Sequence, residues 1–307
     1  IYDDFSNCHE SVVNKLESII NKQIDYLKGD IRDTKKLVEI IQNKNIKSII
    51  HFAALKSVES SLANPLEYYD VNVLGTLSIL KAMQITGIRE FLFSSSATVY
   101  GSPDYLPIDE NHPLKAVNPY GQSKIVIEKV LSDLVNSNEN WSISSLRYFN
   151  PIGAHSSGLI GDDPLLEDSG NLMPSIIKAT KRFGEILKIF GKDYDTPDGT
   201  GIRDYIHVMD LADAHLKALE FLRESKGLNV FNIGRGEGFS VLEIINTFER
   251  VTGQNIPRIF VDRRPGDISS CFADPTKAKK KLGWAPKLDL KDMCLSSWQH
   301  SELKNLN

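Results

Sequence analysis

Two stretches, SIIHFA (48–53) and EFLFSSS (90–96), do most to limit what this chain can fold into, because each is a short apolar run that ends in small or polar residues. Such a run suits a strand buried on both faces inside a parallel sheet, and the polar residues at its end suit the rim of a site. Between them, PLEYYDVNVLGTLSILKAMQITG carries apolar residues at helical spacing and closes at Gly87, a residue type that ends helices by entering the left-handed region. WSISSLRYFNP (141–151) repeats the strand-then-turn pattern after a helix expected from about Ser123 to Val135. Alternating strands and helices predict an α/β fold, a doubly wound parallel sheet whose ligand crevice lies beyond the carboxyl ends of its strands. Candidate site residues are therefore sought just after each strand.

From about residue 151 the texture changes to a Gly-, Asp- and Pro-rich stretch reaching Thr200, then IRDYIHVMDLADAHLKALEFL, then a tail with Arg263, Arg264 and Pro265. This predicts a first domain over 1–149 and a second, smaller one mainly over 150–307, interleaved with the first around 201–235. The 36 basic residues against 40 acidic ones give a formal charge of −4, so no basic surplus drives nucleic-acid or membrane-surface binding. Small-molecule partners are expected. No apolar run is long enough for a membrane span. Cys8, Cys271 and Cys294 are widely spaced and odd in number, which predicts free thiols in a reducing cytosol, neither a disulfide framework nor a metal site. No signal peptide is visible, and because the chain begins at Ile1 its true N-terminus is expected upstream.

The chemistry concentrates in NPYGQSK (118–124). Asn118 suits an N-cap and Pro119 the first helical position, so Tyr120 falls in the first turn and Lys124 one turn later on the same face. A phenol with a pKa near 10 is a poor base at neutral pH unless something stabilises the phenolate, as an ammonium group and the positive end of a helix can. Alone, a Tyr-x-x-x-Lys pair is a weak signal and reads sooner as an exposed pair on a helix. The hydroxyl cluster Ser94, Ser95 and Ser96 at the end of the preceding strand favours a site.

HFAALKSVESS, YYDVNVLGT, FSSSATVYG, NPYGQSK, LRYFNPIGAH, NLMP, DGTGIRDYIHVMDLADAH and RRPGD follow one another over nearly the whole chain. Together they resemble the UDP-galactose 4-epimerase family of extended short-chain dehydrogenases/reductases. The resemblance implies tightly held NAD, interconversion of UDP-glucose with UDP-galactose, and a cytoplasmic homodimer. It makes Tyr120 the general base at the sugar's 4-hydroxyl, Ser96 a hydrogen-bond partner of the same oxygen, and Lys124 the residue that holds the nicotinamide ribose while depressing the pKa of Tyr120. It assigns Arg203 and Arg264 to the diphosphate, which a planar guanidinium fits, and Asp267 to the uridine ribose. Asn150, Asn171, Leu172, Phe190 and Cys271 fall at positions lining the substrate pocket, Cys271 near the hexose C2 substituent.

For the cofactor, the resemblance places Asp3 on the adenosine ribose, followed by Asp4, Phe5, Ser6 and Asn7, with Asp30 and Ile31 flanking the adenine. Phe52, Ala53, Ala54, Leu55 and Lys56 would pass beneath the pyrophosphate and ribose, and Asn72 and Phe149 would close the nicotinamide side. Ala54 stands where the family usually has glycine. A glycine fingerprint belongs roughly 20 residues before the acidic residue, and only two residues precede Asp3. The chain is therefore expected to be either a piece of a complete enzyme or a truncated product that binds NAD poorly. GRGEG (234–238) has the wrong spacing to replace it and reads as a loop before a helix capped by Ser240 with Glu243. Two rival readings stand beside the epimerase: a 4,6-dehydratase or decarboxylating relative, and a non-catalytic NAD or UDP-sugar sensor. The first would want an acid/base pair or a glutamate where this chain has Ala97 and Thr98.

Overall fold

In the computed structural model, which describes residues 1–162, 171–181, 184–264 and 266–303, the strand Glu90–Ser96 buries residues on both of its faces. Phe91 and Phe93 join an apolar cluster with Ile79, Leu80 and Met83 of the helix Gly75–Thr86 and with Ile127 and Leu131 of the helix Pro119–Ser137. Leu92, between them, is fully buried outside that cluster, as side chains that alternate across a strand require. The sheet runs in the order Gly227–Ile233, Ser142–Tyr148, Glu90–Ser96, Ser48–His51. Ser48–His51 lies parallel to Glu90–Ser96 with Ile49 opposite Phe91, and a second parallel pair sets Tyr2 opposite Leu27. Pro265 of the RRPGD stretch lies outside the described residues.

Two helices depart from the sequence reading. The one expected to close at Gly87 does so, with φ 82° there, but it is divided into Pro65–Tyr68, a π-helical stretch Tyr69–Leu74, and Gly75–Thr86. The wider π turn, which periodicity in the sequence does not register, carries Asn72. The helix expected from Ser123 runs Pro119–Ser137, and the Asn118 side chain caps it by accepting from the Gly121 N–H at 2.8 Å. A Cβ on Gly121 would lie 2.8 Å from the Thr98 carbonyl oxygen, so glycine lets this first turn settle onto the turn Ala97–Val99.

The chain divides into two compact units. The first comprises Ile1–Gly101, Pro113–Arg147 and His215–Phe231; the second comprises Ser102–His112, Tyr148–Ala214 and Asn232 onward. The second unit is built from short strand pairings: Ile202–Arg203 flanked by Phe239–Ser240 and Ser270–Cys271, Leu187–Phe190 beside Arg258–Val261, and Asn150–Ile152 beside Tyr205–His207. Its core gathers Ile176, Ile189, Ile244, Phe248 and Met293. The GRGEG loop wraps the buried Asp204 carboxylate, which accepts from the N–H groups of Arg235 (2.7 Å), Gly236 (3.0 Å) and Ala273 (3.1 Å). Burial pushes that carboxyl up to about 6 against the three hydrogen bonds. The loop leads, as its sequence predicts, into a helix, Val241–Thr252, closed at its start by a Ser240–Glu243 capping box.

Candidate active site

Ser94, Ser95 and Ser96 end the strand Glu90–Ser96, and the helix Pro119–Ser137 meets them. Lys124 is buried; its Nζ donates to the Ser94 carbonyl at 2.8 Å and lies 4.9 Å from the centre of the Phe93 ring and 5.8 Å from that of Tyr120. Ser96 Oγ accepts from the Thr98 N–H at 3.2 Å and the Thr98 hydroxyl at 2.9 Å. Its own proton is left to serve the hydrogen bond with Tyr120. Thr98, which cannot act as acid or base, thus orients the serine. The signal for this role is the two-residue offset of a hydroxyl-capped turn.

Burial pushes the Lys124 ammonium down to about 7, with the Glu128 carboxylate opposing. Burial also raises the Tyr120 phenol, the Ser96 hydrogen bond pulls the other way, and Tyr68 adds to the rise. The sign differs from the expectation that Lys124 depresses the Tyr120 pKa. Desolvation disfavours both charged forms, and a lysine that sheds its proton near neutrality attracts a phenolate weakly.

The expected cofactor residues of the first unit are also placed. Asp3 Oδ1 accepts from the Phe5 N–H at 2.8 Å, and Phe5 takes the left-handed φ of 56° that this tight turn imposes. Asp4 Oδ1 accepts from Ser6 in the same manner, at 2.9 Å, and Asn7 is exposed. Asp30 is tied to Arg32, which also pairs with Asp70, while Ile31 is buried in the core. In the FAALK segment Phe52 is exposed with its ring 4.7 Å from that of His215, Ala53 packs against the core, Ala54 is half-buried and Lys56 is exposed. Asn72 is fully engaged within the protein. It accepts from Leu55 N (2.8 Å) and donates to Leu55 O (3.0 Å) and Ser123 Oγ (3.1 Å), and Ser123 Oγ donates to the Tyr120 carbonyl at 2.7 Å. It therefore braces the FAALK segment against the helix that bears Tyr120.

In the second unit, parallel pairing sets Cys271, buried, opposite Arg203. Arg203 Nη2 lies 3.5 Å from Asp267 Oδ1. The Arg264 guanidinium sits 3.8 Å from the centre of the Phe190 ring. Sequence reasoning missed their neighbours: Arg263 stacks 4.2 Å over Tyr194 and bonds Asp193 at 2.8 Å, and the Tyr194 hydroxyl is buried without a hydrogen-bond partner among the described residues. Phe149 and Asn150 are tied by their backbones, Phe149 N to Ile233 O at 3.1 Å and Asn150 N to Asp204 O at 2.9 Å. Leu172 begins the helix Leu172–Lys181, and the exposed Asn171 precedes it.

A parallel α/β sheet whose strand ends in serines against a Tyr-x-x-x-Lys helix defines a short-chain dehydrogenase/reductase of the extended type. Comparison with known proteins narrows this. A family model described as GDP-mannose 4,6 dehydratase matches residues 3–296. The UDP-glucose 4-epimerase of Bacillus subtilis is 47% identical over 299 residues, covering 97% of this chain and 88% of that protein. A UDP-glucose 4-epimerase from Stenotrophomonas maltophila, solved with NAD and formylated UDP-arabinopyranose, superposes with a TM-score of 0.97 at 43% identity, covering 100% of this chain and 91% of that one. One from Bifidobacterium longum, in complex with NAD+ and UDP, gives a TM-score of 0.93 at 44% identity with coverage of 100% and 91%. The chain belongs to the UDP-glucose 4-epimerase family. Among the described residues no helix is long and apolar enough to cross a membrane.

Proposed function

We propose that the protein interconverts UDP-glucose and UDP-galactose by reversible oxidation at the sugar's C4, with Tyr120 as the group that takes and returns the 4-hydroxyl proton. The observation that carries the reading is the meeting of Ser96, Tyr120 and Lys124 at one strand end in a chain close in sequence to epimerases along nearly its whole length.

The residues fit NAD. Asp3 spends Oδ1 on its own turn, and its second oxygen suits a ribose diol. Lys124 uses a donor on Ser94 and has others for ribose hydroxyls. Bound NAD supplies a hydride acceptor that also gives the hydride back. Tyr120 would accept the proton of the sugar's 4-hydroxyl while Ser96 turns its one O–H from Tyr120 to the same oxygen, and Tyr120 would return the proton when the 4-keto sugar is reduced again. Proton transfer of this kind contributes about 10²- to 10⁴-fold. Arg203 and Arg264 hold the diphosphate and Asp267 the uridine ribose, with Phe190 lining the pocket, so the hexose can turn over while the nucleotide stays fixed. A cytoplasmic homodimer completes the reading, with light scattering of the purified protein as the check on its assembly.

A 4,6-dehydratase is the weaker reading because Ala97 offers no acid or base and the Thr98 hydroxyl is committed to Ser96. The test is to supply full-length protein with UDP-galactose and follow the products. UDP-glucose should form up to an equilibrium mixture. A 4-keto-6-deoxy sugar, or no conversion, would overturn the proposal.

A further inference from the structure

The helix that bears Tyr120 and Lys124 carries a third polar residue on the same stripe, one turn further on: Glu128 is buried at 6% exposure, where a carboxylate persists only if fully paired. It is. Glu128 Oε1 accepts from Ser95 Oγ at 2.7 Å, Ser145 Oγ at 3.0 Å and Arg147 Nε at 3.0 Å, and Oε2 accepts from Arg147 Nη2 at 2.6 Å. Arg147, also buried, donates through Nη1 to the Tyr100 hydroxyl at 2.9 Å, with its guanidinium 5.0 Å from the centre of that ring. Three successive residues of one strand end are thus matched to three successive turns of one helix. The Ser94 carbonyl holds Lys124, the Ser95 hydroxyl holds Glu128, and Ser96 serves Tyr120.

We propose that Glu128, fixed by Arg147, is a positioning residue for the Ser96–Tyr120–Lys124 group: it locks the strand end onto the helix and sets a negative charge one helical turn from Lys124. This deepens the epimerase reading and rests on it for the role of Tyr120. The other titratable groups around Lys124 cannot supply that charge. His51, from the neighbouring strand, is neutral, with burial and Lys124 pushing its pKa down to about 3. Tyr120 is raised by burial, and Tyr68 beside it only raises it further. Arg147 and Tyr100 stand behind Glu128, and of these groups only Glu128 favours the charged lysine. A network of this kind holds geometry and charge together, since low local polarity strengthens each bond within it.

The sign of the test follows. Without Glu128, Lys124 loses its proton at lower pH and the strand end is held less firmly on the helix that bears Tyr120, so turnover near neutrality falls while substrate affinity does not, because Glu128, buried and paired within the protein, is not a ligand-binding group. Glu128→Gln alone leaves a buried guanidinium unpaired, so the decisive variant is Glu128→Gln combined with Arg147→Met, with Glu128→Asp as the charge-preserving control. In full-length protein the double variant should lower kcat about tenfold at neutral pH with KM for UDP-galactose unchanged, and the Lys124 titration, followed by NMR of nitrogen-labelled lysine, should move down by about one pH unit, a tenfold change in its proton equilibrium. Glu128→Asp should restore the titration to near its wild-type position. A cooperatively folded double variant whose pH–rate profile and lysine titration both superimpose on those of wild type would overturn the proposal. If wild type fails to convert UDP-galactose, the epimerase reading falls instead, and the lysine titration still judges Glu128.

Discussion

The polar residues of the first unit's candidate site and those of the second unit's are held in opposite ways. In the first, Lys124, Glu128, Arg147 and Asn72 are buried and spend their hydrogen bonds inside the protein. In the second, Asp267 and Arg264 are exposed and Arg203 is half-buried, resting on a carboxylate 3.5 Å away and, for Arg264, on the face of an aromatic ring. On the proposed function, the difference follows from the work each set would do. A group that must lose and regain a proton needs a tuned proton affinity, which burial and fixed neighbours give. A group that grips a diphosphate needs to stay charged, and a guanidinium stays charged at any accessible pH. Its resting partners at the surface are weak enough to be exchanged for phosphate oxygens.

The comparison breaks most sharply at Tyr120. Tyr120→Phe in full-length protein removes the hydroxyl and leaves the ring, so kcat should fall about 10²- to 10⁴-fold while bound NAD, measured after denaturation, stays at the wild-type level. Near-normal turnover at unchanged cofactor content would remove Tyr120 from its role.

Arg264→Ala should behave in the other manner. Losing a charged hydrogen-bond donor to a phosphate costs about 1.5–3 kcal/mol, or about 10- to 100-fold in affinity. The loss should appear in KM for UDP-galactose, with the pH–rate profile unmoved, since Arg264 takes no proton. Arg264→Lys keeps the charge but loses the planar fork and should recover only part of the affinity. A shift of the pH profile in either variant would contradict the division of labour between the units.

How far the sequence discloses each half follows from the same contrast. The strand Glu90–Ser96 and its sequel are legible because its burial on both faces is written in the consecutive apolar residues Phe91, Leu92 and Phe93, and Tyr120 and Lys124 because helical spacing and an Asn-Pro start place them on one face. The clamp made by Asn72 is not legible, because it depends on a π turn that only tertiary packing stabilises. Nor is the raised phenol, since desolvation depends on what surrounds a side chain and not on its spacing from a lysine. In the second unit the strands Ile202–Arg203 and Ser270–Cys271 are two residues each, too short for any periodicity, so Arg203, Asp267 and Cys271 come only from family resemblance. Ser102–His112, which belongs to the second unit although it lies amid residues of the first, has no local mark at all.

Cys271 offers a gentler test of the second unit. It is buried beside Arg203, and burial raises its thiol to about 11, so it acts as a small neutral wall. On the proposal that this wall faces the hexose C2 substituent, a small residue admits an N-acetyl group, and UDP-N-acetylgalactosamine should be converted as well. Cys271→Tyr fills that space, and overlap in a packed site costs about 1–3 kcal/mol. The variant should keep UDP-galactose turnover and lose the N-acetylated reaction. Wild type that leaves UDP-N-acetylgalactosamine untouched would place the size limit elsewhere.

The smallest effect is expected where the second unit resembles the first in being tied up internally. Ser240 Oγ accepts from the Glu243 N–H at 3.0 Å, the Glu243 carboxylate accepts from the Ser240 N–H at 2.7 Å, and the Ser240 hydroxyl donates to Asp198. Ser240→Ala deletes one half of this capping box, worth about 0.5–2 kcal/mol. Asp198 keeps the Thr200 N–H at 2.9 Å and the Thr200 hydroxyl at 2.7 Å, so its carboxylate is not stranded. Thermal unfolding should therefore shift down by a few degrees with kcat and KM unchanged. The glycine-rich loop just before Ser240 is anchored on Asp204 by backbone N–H groups, which makes it a structural turn, not a nucleotide cradle. A rise in KM for UDP-galactose in Ser240→Ala, comparable with that of Arg264→Ala, would show instead that this loop belongs to the binding surface and that the second unit's internal ties serve the ligand as well as the fold.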